Sequence, residues 1–515
     1  MRGSGLTLTG LLLCLFAALP SLAGAFGLED VATKAKALAQ KEYRAPQPAP
    51  EFLRALDYQA YQSIRFKPEA SLWRRGRSLF QIMMIPQGSF YRHQVKLNVI
   101  DREGVHPLAF EKSDFDYPNS ELAKRIPADL GYAGFKLTFP LSGEGEQNQF
   151  LVFGGASYFR GVGTGQHFGL SARGVAVDTG LPSGEEFPSF TEFWLERPAG
   201  GSDTMVVYGL LNGPSLTGAY RFVIEPGESL QMKVQSKLFF RDDIDQLGLA
   251  PLTSMFYYGE NTVRPRGEWR PQVHDSDGLL VHNRESGEWL WRPLLNPSQL
   301  QLSFHQVKQL DGFGLIQRDQ KFHHFEDSEA RYDLRPSAWV QPVGEWGPGS
   351  VVLVEIPSNA ESNDNIVAFW KPDQPVKAGQ ELPFEYSLAF GEPEITSHPA
   401  GRAINTFLGD GDRIGGGDEA GAYRFIVDFK GGELGGLKPE SPVVSKVTGG
   451  DGVEVIEHFV EYIEARDAWR LSILARPATN RPLALRGFLS LDDQPLTETW
   501  TYSQAPSTGL RANSE

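Results

Sequence analysis

The sequence predicts an all-β protein in two parts. Three observations carry that reading. Beyond Leu56 the apolar residues recur in short alternating runs, not at helical spacing. The chain holds 55 Gly and 35 Pro, and these fall largely between the runs, as many tight turns require. After a Pro-containing connection near residue 400 the pattern resumes with roughly seven short runs in about 110 residues, which suits an immunoglobulin-like sandwich.

The leader comes first. Met1-Arg2, an apolar run from Leu6 to Leu22 and then Ala23-Gly24-Ala25 predict a secretory signal peptide cleaved after Ala25. Pro20 interrupts that run, which is short for a bilayer span, and no later run is long enough, so no membrane anchor is expected. There is no Arg-Arg pair, which points to the general export route. Cys14, the one cysteine, lies in the leader. The mature chain therefore has neither a disulfide nor a thiolate metal site and rests on its core alone. An exported chain without cysteine fits a bacterial periplasm. The net charge of −15 becomes −16 once Arg2 leaves with the leader. Nucleic acid and anionic lipid are poor partners for such a chain, whereas a neutral sugar is indifferent to its field.

Residues 26–43 have helical spacing, with Leu28, Val31, Ala35 and Leu38 on one face, and Pro46, Pro48 and Pro50 end it. A second short helix is expected over residues 50–56. Strands are predicted over residues 94–100, 229–240, 301–307, 351–356 and 366–370, with turn signals at Asn212-Gly213 and Pro226-Gly227. Residues 391–402 lack an apolar period and contain two prolines, so they read as a linker. The predicted division is a domain over 26–392, a linker over 393–402 and a second domain over 403–512. In the latter, Tyr423, Phe425, Val427 and Phe429 alternate with other residues, and runs at 453–456, 469–474 and 483–491 follow.

The stretch richest in chemistry is 354–372. Two apolar runs bracket a polar loop carrying Glu361 and Asp364, and Trp370 follows. A carboxylate at a loop tip held between rigid strands can protonate a leaving oxygen, and an indole offers a flat face to a pyranose. The plainer reading is a polar loop above a core Trp. Trp269, Trp289, Trp291, Trp339 and Trp346 lie in the same region with Arg264, Arg266, Arg270, Arg318, Arg331 and Arg335, a mixture that suits a sugar cleft or a core with a charged surface. Val273-His-Asp-Ser-Asp277 is the second acidic candidate. On a strand Asp275 and Asp277 would share one face, with Ser276 opposite. His274 has no companion at metal-ligand spacing, and on a strand His323 and His324 would point apart, so no metal is expected. Gly161-Val-Gly-Thr-Gly165 lacks the Lys-Ser/Thr ending of a phosphate loop and reads as a tight turn beside Tyr158 and Arg160. Two separated carboxylates on a β scaffold raise glycoside hydrolysis. Asp364 lies 89 positions beyond Asp275, so only the fold can unite them.

Several stretches together resemble the periplasmic glucan biosynthesis protein G and D family. They are Phe26-Gly-Leu-Glu-Asp-Val31, Ala156-Ser-Tyr-Phe-Arg-Gly161, Phe190-Thr-Glu-Phe-Trp-Leu-Glu196, Tyr257-Tyr-Gly-Glu-Asn261, Val273-His-Asp-Ser-Asp277, Gly312-Phe-Gly-Leu-Ile-Gln-Arg-Asp319 and Asn363-Asp-Asn-Ile-Val-Ala-Phe-Trp370. The single Arg of the leader resembles the G branch. The resemblance covers nearly the whole mature chain. It implies a large N-terminal β-sandwich with a long cleft and a smaller immunoglobulin-like domain. The implied substrate is linear β-1,2-glucan, the backbone of osmoregulated periplasmic glucans, cleaved internally with inversion. The alternative is a non-catalytic module that guides the nascent glucan beside an inner-membrane glucosyltransferase. The resemblance places a general acid at Asp364 and a general base, acting through relayed water, at Asp275, with Asp277 in reserve. Tyr332 and Glu361 match positions that line the cleft and organise those waters. Trp370, Arg318, Tyr158 and Arg160 are the further substrate contacts expected. No metal or organic cofactor is implied.

Overall fold

The computed structural model describes residues 26–143, 145–412, 418–478 and 480–506. The predicted leader lies outside these residues, as do positions 507–512 of the predicted second domain. Strands account for 48% of the chain and helices for 11%, so the protein is all-β.

The helix predicted at the start is present as Leu28–Ala39, opened by a hydrogen bond from the Gly27 N–H to the Asp30 carboxylate (2.8 Å). Val31, Ala32 and Ala35 are buried against Trp194, Tyr208, Leu210, Ala219 and Phe239 on the outer face of a large sheet. Leu28 and Leu38 complete the stripe from its edges.

Two large sheets lie face to face. One has ten strands, with Tyr158–Gly161, Ser171–Arg173, Leu247–Ser254, Ile366–Pro372 and Gly349–Glu355 as successive neighbours. The other contains Ser189–Glu196, Met205–Asn212, Leu216–Glu225 and Leu230–Phe240 in a row. Phenylalanines interlock between them: Phe153 meets Phe193 and Phe222 edge-on at centroid distances of 5.4 and 5.2 Å, and Phe159 meets Phe222 at 5.4 Å. Such edge-to-face contacts add to the area term of a sandwich core. The strand predicted over 301–307 is present as Gln301–Val307, and that over 229–240 as Leu230–Phe240.

The C-terminal part is built differently from a bead on a linker. Arg402–Asp412, Asp418–Lys430, Ala468–Pro477 and Val453–Ile463 form a four-stranded sheet. The strands that face it, Val444–Gly449, Leu483–Leu491 and Thr499–Gln504, continue the large sheet of the N-terminal part. The joint is a parallel pairing of Trp289–Pro293 with Thr499–Gln504, Leu290 opposite Thr499 and Trp291 opposite Trp500. One apolar cluster spans both parts, uniting Trp291, Ile316 and Trp339 with Phe425, Leu471 and Trp500. The stretch read as a linker holds a short 3-10 turn, Pro393–Thr396, and its His398 is buried.

Charged groups bind the same joint. Arg318 donates from both terminal nitrogens to Glu498 (2.6 and 2.9 Å) and to the Ala403 carbonyl (2.7 Å), and it lies 3.5 Å over the Trp291 ring. Glu260 reaches across to accept from the Asn405 side chain (2.7 Å) and the Thr406 N–H. Burial pushes the Glu260 carboxyl up from its ordinary 4.5 to about 8, against the pull of those two donors. A carboxyl whose folded pKa is raised stabilises the fold most below its unfolded value, and that contribution is lost as pH climbs to the folded value. The joint therefore weakens between pH 4.5 and about 8. In thermal unfolding at about pH 6 and about pH 9, the wild-type midpoint should fall further with rising pH than that of Glu260→Gln. An equal fall in both would remove Glu260 as the cause.

Candidate active site

Strand register builds the site. Ser254 pairs with Ile366, Thr253 with Ser171, and Phe159 with Ala172. The end of Leu247–Ser254, the start of Ile366–Pro372 and Arg160 thus share one rim of the ten-stranded sheet. Asp364 lies two residues before Ile366–Pro372 begins. The chain leaving Ser254 forms Phe256–Tyr258, which pairs with Val273–His274, and the Asp275 N–H bonds the Met255 carbonyl (2.8 Å). That ladder carries Asp275 to the same rim.

The loop bearing Glu361 and Asp364 is pinned at both ends. Asn365 accepts from the Phe256 N–H (2.9 Å) and donates to the carbonyls of Phe256 (3.0 Å) and Ile356 (3.1 Å). Asn296 accepts from the Ser358 N–H (2.9 Å) and donates to the Ser358 carbonyl (2.7 Å). These amides replace the ladder bonds that a polar loop gives up. They fix where its carboxylates stand.

Arg160 donates to Asp364 (3.1 Å) and to the Ser171 hydroxyl (2.6 Å). Asp275 is 8% exposed, and its Oδ1 lies 3.2 Å from Nε of Arg335. That contact is misaligned for a hydrogen bond, so Asp275 Oδ1 and Arg335 Nε face one another as an ion pair without a protein hydrogen bond at either atom. Burial pushes the Asp275 carboxyl up; Arg335 pulls it down, the Asp364 charge raises it again and Arg160 opposes that. The Asp364 charge thus reaches Asp275. Tyr332 donates to Glu361 (3.2 Å), and Glu361 is held by Arg270 (2.7 Å), which also binds Glu268 and Asp327. Arg335 lies 5.3 Å over the Tyr332 ring. The Tyr332 hydroxyl is driven up by burial first and then by Glu361 and Asp275. Tyr158 adjoins the group, its hydroxyl raised by burial and, more weakly, by Asp364. The structure thus brings together Asp275, Asp364, Glu361, Tyr332, Arg160 and Tyr158.

Three expected site residues lie elsewhere. Trp370 is 0% exposed, inside the sandwich beside Trp346 and over Gly349, where a Cβ would meet its ring at 2.5 Å. It has no face to offer a sugar. Asp277 does not share a side with Asp275, because the strand stops at His274 and the chain crosses there to the other sheet. Its carboxylate accepts from the backbone N–H groups of Arg318 and Asp319. Arg318 serves the joint described above. His274 is a satisfied core residue between Gln272 and Gln317 (3.1 Å each) and stacks on Phe256. Among the described residues no group of three or more His, Cys, Asp or Glu side chains could hold a metal ion.

The family described as periplasmic glucan biosynthesis protein, MdoG, matches residues 26–504. The chain belongs to this family. Membership gives this periplasmic glucan biosynthesis protein a role in glucan biosynthesis. Likeness to solved structures is slight. The Slr1438 protein from Synechocystis sp. PCC 6803 aligns at 10% identity and a TM-score of 0.24, over 50% of this chain and 92% of that one. A galactose mutarotase related enzyme from Lactobacillus acidophilus aligns at 8% and 0.21, over 47% and 97%. No helix among the described residues of the glucan biosynthesis protein is long and apolar enough to cross a membrane.

Arg270, Arg335, Asn365 and Gly169 escaped the sequence reading as site residues. The two arginines stood out only as members of a charged group. Gly169 gives no signal in sequence: a Cβ there would lie 2.9 Å from Arg335 and 3.3 Å from Asp275.

Proposed function

We propose that the protein cleaves linear β-1,2-glucan internally with inversion of the anomeric centre. The observation that carries this reading is that Asp275 and Asp364, remote in sequence, stand at one sheet rim, with the Asp364 charge acting on Asp275. Asp364 is the general acid. One of its oxygens is held by Arg160, and the other makes no protein hydrogen bond among the described residues, so it can face a glycosidic oxygen. Asp275 is the general base. Its pKa, raised by burial, and its oxygen without an aligned donor suit a group that takes a proton from water. Tyr332, tied to Glu361 and flanked by Arg335, is placed to relay between base and sugar. A relay lets an inverting pair exceed the usual spacing of roughly 6.5–9.5 Å.

The purified protein should release reducing ends from linear β-1,2-glucan, and the first product should carry the α-anomer by NMR. Binding without release would favour a glucan-guiding module beside a glucosyltransferase instead. Gly169 supplies a test of the base. Gly169→Val would push side-chain carbons into Arg335 and Asp275, and cleavage should fall by about 10²-fold, the effect of a misplaced catalytic group. The thermal midpoint should stay close to wild type, since only one rim of the sheet is disturbed. Unchanged cleavage would argue against Asp275 as the base.

A further inference from the structure

The outer face of the ten-stranded sheet continues the candidate site past Arg160. Register sets a row of side chains across Gln81–Pro86, Tyr132–Phe139, Asn148–Gly154 and Tyr158–Gly161. Met83 pairs with Lys136, Lys136 with Val152, and Val152 with Arg160. Residues opposite one another in an antiparallel ladder share a face. The chain neighbours Phe135, Leu137, Leu151, Phe153 and Phe159 fill the core, so this row turns outward. One end of the row is Arg160, which holds Asp364. Lys136 stands two strand spacings further on, roughly 10 Å along the sheet.

Lys136 does nothing for the fold. It is half-buried, yet its ammonium makes no hydrogen bond or ion pair with any described residue. Burial alone pulls its pKa down from the ordinary 10.5, and no carboxylate charge acts on it in return. All three of its donors are unspent. Nζ is not among the sealed polar atoms, so a ligand can reach it. Partial desolvation of a charge without a partner costs stability. Independently, tyrosines border the row. The ring of Tyr91 stands over Gly154, where a Cβ would lie 2.9 Å from it, and the Arg160 charge and Tyr58 both act on its hydroxyl. Tyr58 is 61% exposed. The turn carrying Tyr91 is rigid: Gly88 and Tyr91 exchange two backbone hydrogen bonds (2.9 Å each), and the Ser89 N–H bonds the Leu53 carbonyl (2.9 Å).

We propose that Lys136 is a glucan-binding residue remote from the cut, and that the row from Arg160 to Lys136 seats the chain as it leaves the catalytic pair. The ammonium donates to sugar hydroxyls, and Tyr91 and Tyr58 flank the sugars beside it. This rests on the glucan reading above and adds to it a preference for chains long enough to span the row.

Isothermal titration of the full chain carrying Asp364→Asn, so that nothing is cut, tests the proposal with long linear β-1,2-glucan and with β-1,2-linked glucotriose. Adding Lys136→Met should weaken binding of the long glucan by about tenfold or more, the effect of losing hydrogen bonds from a charged donor. Glucotriose, too short to span the row from the catalytic pair, should lose no more than about twofold. The thermal midpoint should not fall, because the ammonium has no protein partner to lose. In the free protein an amine-acylating reagent should label Lys136, and long glucan should protect it, as read by peptide mass spectrometry. The proposal is overturned if long glucan binds the Lys136→Met protein as tightly as its parent, if glucotriose loses as much as long glucan, or if long glucan leaves Lys136 open to acylation. Cleavage is read separately, as reducing ends released by the wild type. A protein that binds long glucan through Lys136 but releases none would lose the catalytic reading and keep this one.

Discussion

Asp364→Asn should nearly abolish the release of reducing ends from linear β-1,2-glucan, by about 10²–10⁴-fold in kcat, the range ascribed to a positioned acid. The substitution is close to isosteric. The amide oxygen can still accept from Arg160, so the loop pinned by Asn365 and Asn296 should keep its shape. The amide cannot deliver a proton to a glycosidic oxygen. Binding should therefore survive while turnover is lost, and titration with a non-cleaved oligosaccharide would show an affinity within a few fold of wild type. A β-glucoside with an activated aryl leaving group needs little protonation, so any cleavage of it should be far less affected than cleavage of glucan. If Asn at this position cut glucan as fast as Asp, the acid would have to be sought among other groups at the rim, Glu361 first.

The largest effect on stability is expected from Glu498. It is 1% exposed and takes both arms of Arg318, while His398 stands 3.0 Å from its other side at an angle too poor for a hydrogen bond. Glu498→Ala would leave the Arg318 charge buried and half-partnered, and removing one member of a buried pair costs about 3–5 kcal/mol. Chemical denaturation near neutral pH should show that loss. Its pH dependence has a definite sign. Burial pushes the Glu498 carboxyl up, but the Arg318 charge and hydrogen bonds, with His398 adding to them, hold it at about 2, below its ordinary 4.5. A depressed carboxyl contributes stability above its unfolded pKa and loses it as pH falls through the folded value. The gap between wild type and Glu498→Ala should thus be full above pH 4.5 and close toward about pH 2. A gap that stayed constant across that range would mean that packing, not charge, is the source.

The sequence disclosed the strands more readily than the side to which each residue turns. Alternation located Gln301–Val307 and Leu483–Leu491 because one face of each is less covered than the other. Ile366–Pro372 is covered on both faces. Val367 and Phe369 join one apolar cluster, while Ile366, Ala368 and Trp370 join another. Period two carries no inside–outside signal in such a strand, so Trp370 could be imagined facing a sugar when it fills the core. Asp277 was misjudged for the opposite reason: the strand ends at His274, and the period with it. Arg318 is beyond the reach of any local pattern, since its partner follows 180 residues later. Asp364, Glu361 and Asp275 were visible because polar loops between apolar runs are conspicuous. Their convergence depends on pairings between strands distant in sequence.

The parallel seam between Trp289–Pro293 and Thr499–Gln504 has a consequence for how the chain matures. A polypeptide threaded N-terminus first completes the strand at 289–293 some two hundred residues before its neighbour arrives. Until then that border of the growing fold is raw, with Trp291 uncovered and Arg318 still awaiting Glu498. Consolidation of the whole molecule is thereby postponed until the last strand is in place.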